Sequence, residues 1–127
     1  MKKNLKRIAR GLFGAPCFLP LLRRLWADEV FCVMLHRLGD RDLSRLSMNE
    51  GLKVSPSALE FFIQQAGREG YAFLSMEELY LALTGRACWP GRSLVFTFDD
   101  GYRDNLTLGL PLFKKYGVPF IIYLSVF

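Results

Sequence analysis

Two short runs of apolar residues constrain the fold of this chain more than any other feature of its sequence. The first covers residues 30–35 (VFCVML) and the second covers residues 93–98 (SLVFTF). Each has the length of one strand, lacks the strict alternation of a half-exposed strand, and is followed at once by polar residues. Segments with helix signals lie between and after them. The sequence therefore predicts an α/β fold with parallel strands that are buried on both faces.

Two helices are predicted between these runs. Ser55 followed by Pro56 is typical of a helix start, and Gly70 is a plausible end for that helix. Ser75 and Glu78 have the spacing of a capping box, which predicts the start of the second helix. The residues predicted to face the core are Leu59, Phe62, Ile63, Ala66, Met76, Leu79, Tyr80 and Leu83.

The remaining segments are predicted from weaker signals. Residues 41–53 have mixed charge and no apolar period, which indicates a loop, and residues 71–74 indicate a very short strand. A third helix is predicted after residue 104, with Asn105 as its cap and Gly117 as its end. Pro111 is expected to bend or shorten it, because proline lacks a backbone N–H.

Composition supports a folded chain and limits its partners. Hydrophobic residues make up 51% of the 127 residues, which is enough to build a core. The net charge of +5 comes from the N-terminus, because the residues after Arg24 carry ten basic and twelve acidic side chains. We therefore expect no nucleic-acid partner. The basic residues before the first acid are Lys2, Lys3, Lys6, Arg7, Arg10, Arg23 and Arg24.

Residues 1–28 are interpreted as a basic, amphipathic N-terminal arm. A basic start followed by uncharged residues 11–22 imitates a signal peptide, but the glycines and prolines of that stretch and the two arginines after it disfavour export. Two alternatives remain: residues 1–26 contact an anionic membrane surface, or they pack on the rest of the protein. Apolar contacts could come from Leu5, Ile8, Leu12, Leu21, Leu22, Leu25 and Trp26.

The cysteines indicate a reducing compartment. Cys17, Cys32 and Cys88 are odd in number and form no C-x-x-C pair, so neither a disulfide framework nor a cysteine zinc site is predicted. We expect reduced, mostly packed thiols in a cytoplasmic protein, with the inner face of the membrane as an alternative location.

Two adjacent carboxylates follow the second apolar run. Asp99 and Asp100 lie where a buried parallel strand ends, and Gly101 permits a sharp turn there. Such a pair can divide labour, one carboxylate holding a divalent cation and the other accepting a proton from water. A magnesium-dependent phosphotransfer site, a receiver-like acidic pocket, and an aspartate-rich turn before a helix remain as alternatives.

Residues 97–105 (TFDDGYRDN) closely resemble the first motif of the NodB-homology polysaccharide deacetylases, carbohydrate esterase family four. The resemblance extends back to residues 34–37 (MLHR), with Leu35 where tyrosine is usual, and forward through residues 111–117. It implies that residues 29–127 form the N-terminal part of a distorted β/α barrel. It also implies a hydrolase that removes N-acetyl groups from cell-surface or lipid-linked sugars of the bacterial envelope.

The resemblance also implies roles for individual residues. Asp99 would be the general base and Asp100 a ligand of a divalent metal, expected to be zinc. His36 would border the substrate cleft, although a structural histidine is an equal alternative. Tyr102, Arg103, Asp104 and Asn105 match the motif and are interpreted as shaping the loop and capping the helix.

One part of the family pattern is missing. The family completes its metal site with two histidines from a downstream His-Ser/Thr-x-x-His motif, whereas this chain has one histidine in total. We therefore expect a fragment that is inactive alone and does not hold zinc tightly, with residues 119–127 an apolar strand that promotes aggregation. The alternative is a non-catalytic membrane-surface or assembly module that works through its basic arm.

Overall fold

The computed structural model describes residues 29–42, 44 and 48–125; the N-terminal arm, including Cys17, lies outside them. The described helices and strands follow one another as an α/β chain. The strands are β1 (Val30–Leu35), β2 (Arg37–Leu38), β3 (Lys53–Val54), β4 (Ala72–Phe73), β5 (Ser93–Asp99) and β6 (Phe120–Tyr123). The helices are α1 (Met48–Gly51), α2 (Pro56–Arg68), α3 (Met76–Leu83) and α4 (Leu110–Tyr116), with a π-helical segment, Asn105–Gly109, directly before α4.

Strand β5 is the centre of the main sheet. β1 pairs with it in parallel along its whole apolar length, from Val30 opposite Ser93 to Leu35 opposite Phe98. The other edge of β5 is shared, because β4 pairs with its first residues and β6 with its last four. All of these pairs are parallel. The predicted α/β class with parallel strands is therefore confirmed.

The larger core cluster lies between this sheet and the helices α2 and α4. Phe96, Phe98 and Phe113 are completely buried, and the ring of Phe113 meets the other two edge to face, at centroid distances of 5.1 and 5.7 Å. Full burial of a phenylalanine side chain contributes roughly 1.5–3 kcal/mol to folding. These rings fix α4 to β5 and so set the position of the loop that joins them.

A smaller cluster covers the other face of the sheet. Leu79 from α3 packs there with Leu74 and Val95. The predicted capping box of α3 is confirmed: the Glu78 backbone N–H donates to the Ser75 hydroxyl at 3.2 Å, and the Glu78 carboxylate accepts from the Ser75 backbone N–H at 2.8 Å. The Glu78 carboxylate also accepts from the Ser75 hydroxyl at 2.8 Å, and its bonds from the Ser75 backbone N–H and hydroxyl lower the pKa of Glu78.

The prediction of a plain loop over residues 41–53 was wrong. Helix α1 and strand β3 lie within or at the end of this stretch, and β3 pairs in parallel with β2. Polar contacts hold the segment: Arg41 Nε donates to the Lys53 carbonyl at 3.0 Å, and Lys53 Nζ lies 2.7 Å from Glu50 Oε1. Because these contacts produce no apolar period, the sequence pattern did not reveal them.

Several residues predicted to be buried are exposed. Phe31, Cys32 and Met34 of β1 are exposed, because β1 lies at the outer edge of the described sheet. Cys88 is exposed as well, so the two described cysteines are not packed thiols. On the helices, Phe62, Tyr80 and Leu83 are exposed although their spacing predicted core positions. No helix within the described ranges is long and apolar enough to cross a membrane.

Candidate active site

Asp99 and Asp100 lie where β5 ends, as the sequence predicted. Asp99 is the last residue of the strand and pairs in register with Tyr123 of β6. Asp100 turns the chain with φ at +69°, a left-handed conformation that is uncommon for a residue with a side chain. Gly101 follows with φ at +65°, and a Cβ atom there would collide with the side chain of Leu124. The positive φ at position 101 therefore favours glycine, whereas the contact with Leu124 involves only the end of a flexible side chain.

The two carboxylates have different surroundings. Asp100 is exposed, and its Oδ1 accepts a hydrogen bond from the Ser125 hydroxyl at 2.9 Å. The Asp99 side chain is 29% exposed and lies beside an imidazole, with 3.8 Å between Asp99 Oδ2 and His36 Nε2. The pair therefore presents two carboxylates in different directions.

Strand pairing brings His36 to this site. His36 follows the last residue of β1, and Asp99 follows Phe98, the residue that pairs with Leu35. The parallel register therefore places His36 next to Asp99 at the carboxyl edge of the sheet, where α/β folds build their sites. Its side chain is 26% exposed. The structure places all three predicted site residues at one edge, while their roles remain predictions.

Asp104 connects the loop after β5 to the segment after β1. Its carboxylate accepts hydrogen bonds from Arg37 Nε and from the Leu38 backbone N–H, both at 3.0 Å. The Arg37 guanidinium also lies over the Tyr102 ring, 4.8 Å from its centroid. Since Arg37 and Leu38 directly follow His36, these contacts fix the histidine relative to the aspartates.

Asn105 does not cap a helix, contrary to the prediction. It begins the π-helical segment and is 1% exposed, and its Nδ2 donates to the His36 carbonyl at 2.9 Å. Asp104 occupies the cap position there but makes no side-chain cap bond. Within the described residues, Asn105 Oδ1 is buried without a hydrogen-bond partner. Short π-helical segments are frequent at functional sites.

Sequence reasoning missed this connection between the strand ends, which we call the strand-end clamp: Arg37, Tyr102, Asp104 and Asn105. The residues of the motif were visible, but their partners lie 66 to 69 positions earlier in the chain. One sequence signal could have indicated this contact: Arg37 and Asp104 carry opposite charges, and each follows an apolar run within a few residues.

The described residues do not form a complete metal site. In the ranges the structure covers, no group of three or more His, Cys, Asp and Glu side chains is placed to hold a metal ion. Asp100 supplies an exposed carboxylate, but its Oδ1 already accepts from Ser125, and the one histidine of the sequence lies beside Asp99 instead. The carboxylate oxygens suit a divalent cation, yet the ligand set is incomplete.

The described residues form a parallel α/β sheet with paired aspartates after its central strand, and comparison with known proteins finds similarity to polysaccharide deacetylases. YxkH of Bacillus subtilis (strain 168), classed by its name among the polysaccharide deacetylases, is 32% identical over 79 residues, which is 62% of this chain. Among solved structures, IcaB from Ammonifex degensii has a TM-score of 0.66 at 23% identity over 76% of this chain. The Streptococcus pyogenes deacetylase PplD, solved with acetate, has a TM-score of 0.62 at 27% identity over 77%.

These comparisons confirm the predicted resemblance to the NodB-type polysaccharide deacetylases and the predicted fold. The matched region is only part of each relative: it covers 28% of YxkH, 38% of IcaB and 43% of PplD. No model of a known protein family matches the chain. The chain is therefore similar to a part of these deacetylases, less than half the length of each.

Proposed function

We propose that this chain carries the aspartate part of the active site of a metal-dependent deacetylase, which hydrolyses N-acetyl groups of N-acetylated sugars in cell-surface or lipid-linked glycans. One observation carries the proposal. The parallel pairing of β1 with β5 brings His36 to 3.8 Å from Asp99, at the edge where Asp100 exposes a second carboxylate. The similarity to named deacetylases supports the reaction class.

Asp99 is the base in this proposal. Its carboxylate lies partly open to solvent at the end of β5, where it can accept a proton from the water that attacks an acetyl carbonyl. His36, fixed through its carbonyl by Asn105, borders the same space and can contact the sugar. Asp100 would contribute one ligand to a divalent metal, expected to be zinc, which in a complete site activates the attacking water.

The same proposal predicts that the 127-residue chain has little or no activity by itself. One histidine and two aspartates at this edge do not make a three-ligand site in the described residues, so we expect the further ligands to come from outside those residues. We expect further residues that bind the substrate beyond its acetyl group to lie outside the described residues as well.

Zinc titration of the full chain tests the site. Because the sequence has one histidine, its imidazole NMR signals report on His36 without ambiguity. We expect weak binding that perturbs the signals of His36, Asp99 and Asp100 together. Asp100→Asn should abolish these perturbations, whereas Glu77→Gln, which removes an exposed carboxylate at the start of α3, should leave them unchanged. Perturbations elsewhere, with none at these three residues, would refute the proposed site.

Acetate release tests the prediction of inactivity. The full chain is incubated with zinc and N-acetylglucosamine oligomers, and released acetate is compared with a protein-free blank. We expect no release above the blank. Tight, stoichiometric zinc combined with turnover would contradict the incomplete site while leaving the deacetylase assignment intact.

A further inference from the structure

Tyr123 belongs to the same row of side chains as two residues of the candidate site. It is the last residue of β6 and pairs in register with Asp99 of β5. On the other side of Asp99, the register of β1 places His36 in line with it, and 3.8 Å separate His36 Nε2 from Asp99 Oδ2. Neighbouring strands of a sheet lie about 4.8 Å apart. The row therefore runs across β1, β5 and β6 at their carboxyl edge.

Tyr123 lies on the same face of the sheet as Asp99, away from the larger core cluster. Side chains alternate between the two faces of a strand. Phe120 and Ile122 of β6 pack against the core cluster, so Tyr123 lies on the opposite face. Phe98 belongs to that cluster too, so the next residue, Asp99, also lies opposite. Tyr123 is 49% exposed, and packing in the core does not account for an aromatic residue at this position.

The three side chains of the row offer different chemistry to a ligand. The carboxylate of Asp99 accepts hydrogen bonds, and the imidazole of His36 can donate or accept one. The ring of Tyr123 has a broad apolar face with a hydroxyl at its edge. Small-molecule sites combine aromatic surface with a few polar groups that fix the orientation of the ligand. A pyranose matches this combination, because its hydroxyl groups form hydrogen bonds at the rim of the ring while its C–H groups make an apolar face.

We propose that Tyr123 binds the substrate sugar, with its ring stacked on the apolar face of the N-acetylated pyranose whose acetyl group lies at Asp99. This inference rests on the proposed function, and it assigns substrate binding to a residue outside the aspartate motif. Tyr123 takes no part in the proton transfer. It holds the sugar beside the base, where Asp99 accepts a proton from water.

NMR of the full chain with isotope-labelled tyrosine rings tests the contact. The probe is the trimer of N-acetylglucosamine. The sequence has five tyrosines, and Tyr123→Phe identifies the Tyr123 signals by their loss. We expect the trimer to shift the ring signals of Tyr123 in the unaltered chain and to leave those of Tyr80 unchanged. Tyr80 is the internal control, because it is 55% exposed but lies on α3, away from the site.

Substitutions at position 123 separate stacking from a structural role. The acetyl methyl signals of the trimer report its binding to each variant. Tyr123→Phe keeps the aromatic face and should bind the trimer with nearly unchanged affinity. Tyr123→Ala should weaken binding about tenfold, because the stacked ring is lost. Tyr80→Ala is the matched control and should have no effect. If Tyr123→Ala does not fold, the ring shifts of the unaltered chain still decide the question.

The outcomes distinguish this inference from the proposed function. The inference is overturned if the trimer shifts no Tyr123 signal, or if Tyr123→Ala and Tyr80→Ala have equal effects. Either result, together with zinc perturbations at Asp99 and Asp100, would leave the proposed function intact. Trimer shifts at Tyr123 without any zinc perturbation at the aspartates would support the sugar contact and count against the metal-dependent reaction.

Discussion

Asp100 has a backbone conformation that costs stability. A left-handed φ of +69° is penalised by roughly 1–2 kcal/mol for most residues with a Cβ atom, and less for aspartate. The hydrogen bond from Ser125 compensates part of this cost. Backbone strain of this kind is typical of residues at functional sites. The strain at Asp100, whose exposed carboxylate lies beside Asp99, is therefore consistent with a role in the candidate site.

Replacing Asp100 with glycine tests this interpretation. Asp100→Gly should raise the free energy of unfolding by about 0.5–1 kcal/mol, because glycine adopts positive φ without strain. Urea unfolding measures the change, and Ser125→Ala serves as the control that removes the hydrogen bond alone. If Asp100→Gly destabilises the chain more than Ser125→Ala does, strain at this residue is not the dominant effect.

Asp104 is expected to matter more for stability than any exposed aspartate. Its side chain is 13% exposed and pairs with Arg37 while also accepting from the Leu38 backbone N–H. Asp104→Ala should lower the free energy of unfolding by about 2–3 kcal/mol, because it leaves a half-buried guanidinium and a backbone donor without their acceptor. Urea unfolding of this variant is compared with Asp40→Ala, which alters an exposed carboxylate. Equal effects of the two substitutions would contradict the strand-end clamp.

The contact between α2 and α4 should give stability a dependence on pH. Glu60 of α2 accepts from Lys115 Nζ and from the Tyr116 hydroxyl, each at 2.6 Å. The Lys115 ammonium, followed by the Tyr116 hydroxyl, lowers the pKa of Glu60, and Glu60 in turn raises the pKa of Lys115. Lys115 is well exposed, so solvent screening keeps the contribution small.

The directions of these pKa shifts set the pH window. Because the pKa of Glu60 is lowered on folding, its contribution is present above the unfolded glutamate pKa of about 4.3 and is lost as pH falls through the folded value. The contribution of Lys115 is present below about pH 10.4 and is lost as pH rises through its raised pKa. The urea midpoint should therefore differ more between the unaltered chain and Glu60→Gln at pH 7 than in strong acid. A difference that does not change with pH would refute this, and Glu77→Gln is the matched control.

The central part of the fold could be predicted from local sequence because its signals are local. The apolar run of β5, the serine caps at Ser55 and Ser75, and Gly117 at the end of α4 each express their structure within a few residues. The position of the candidate site could be predicted from the same apolar runs, because the carboxyl ends of neighbouring parallel strands lie at one edge of the sheet.

The parts that could not be predicted depend on partners far away in the chain. Exposure of Phe31 and Met34 is decided by the position of β1 at the sheet edge, which periodicity does not encode. Asn105 looked like a helix cap, but the carbonyl it binds belongs to His36. The pairing of β2 with β3 involves two residues from each strand, too few to produce a pattern.

Open strand edges should make the whole molecule self-associate. In the described part, β1 and β6 each pair with β5 alone, and each exposes large apolar side chains, Met34 at 63% and Tyr123 at 49%. Unpaired edges of this kind recruit a strand from another molecule.

Sedimentation velocity of the full chain should show species larger than a monomer that increase with concentration. Met34→Lys and Tyr123→Lys should reduce them, because a charge on an edge strand opposes further pairing. Leu83→Lys is the matched control, since Leu83 is 67% exposed but lies on helix α3. Equal reduction by all three variants would indicate association through general surface hydrophobicity, and a monomer at every concentration would contradict the prediction.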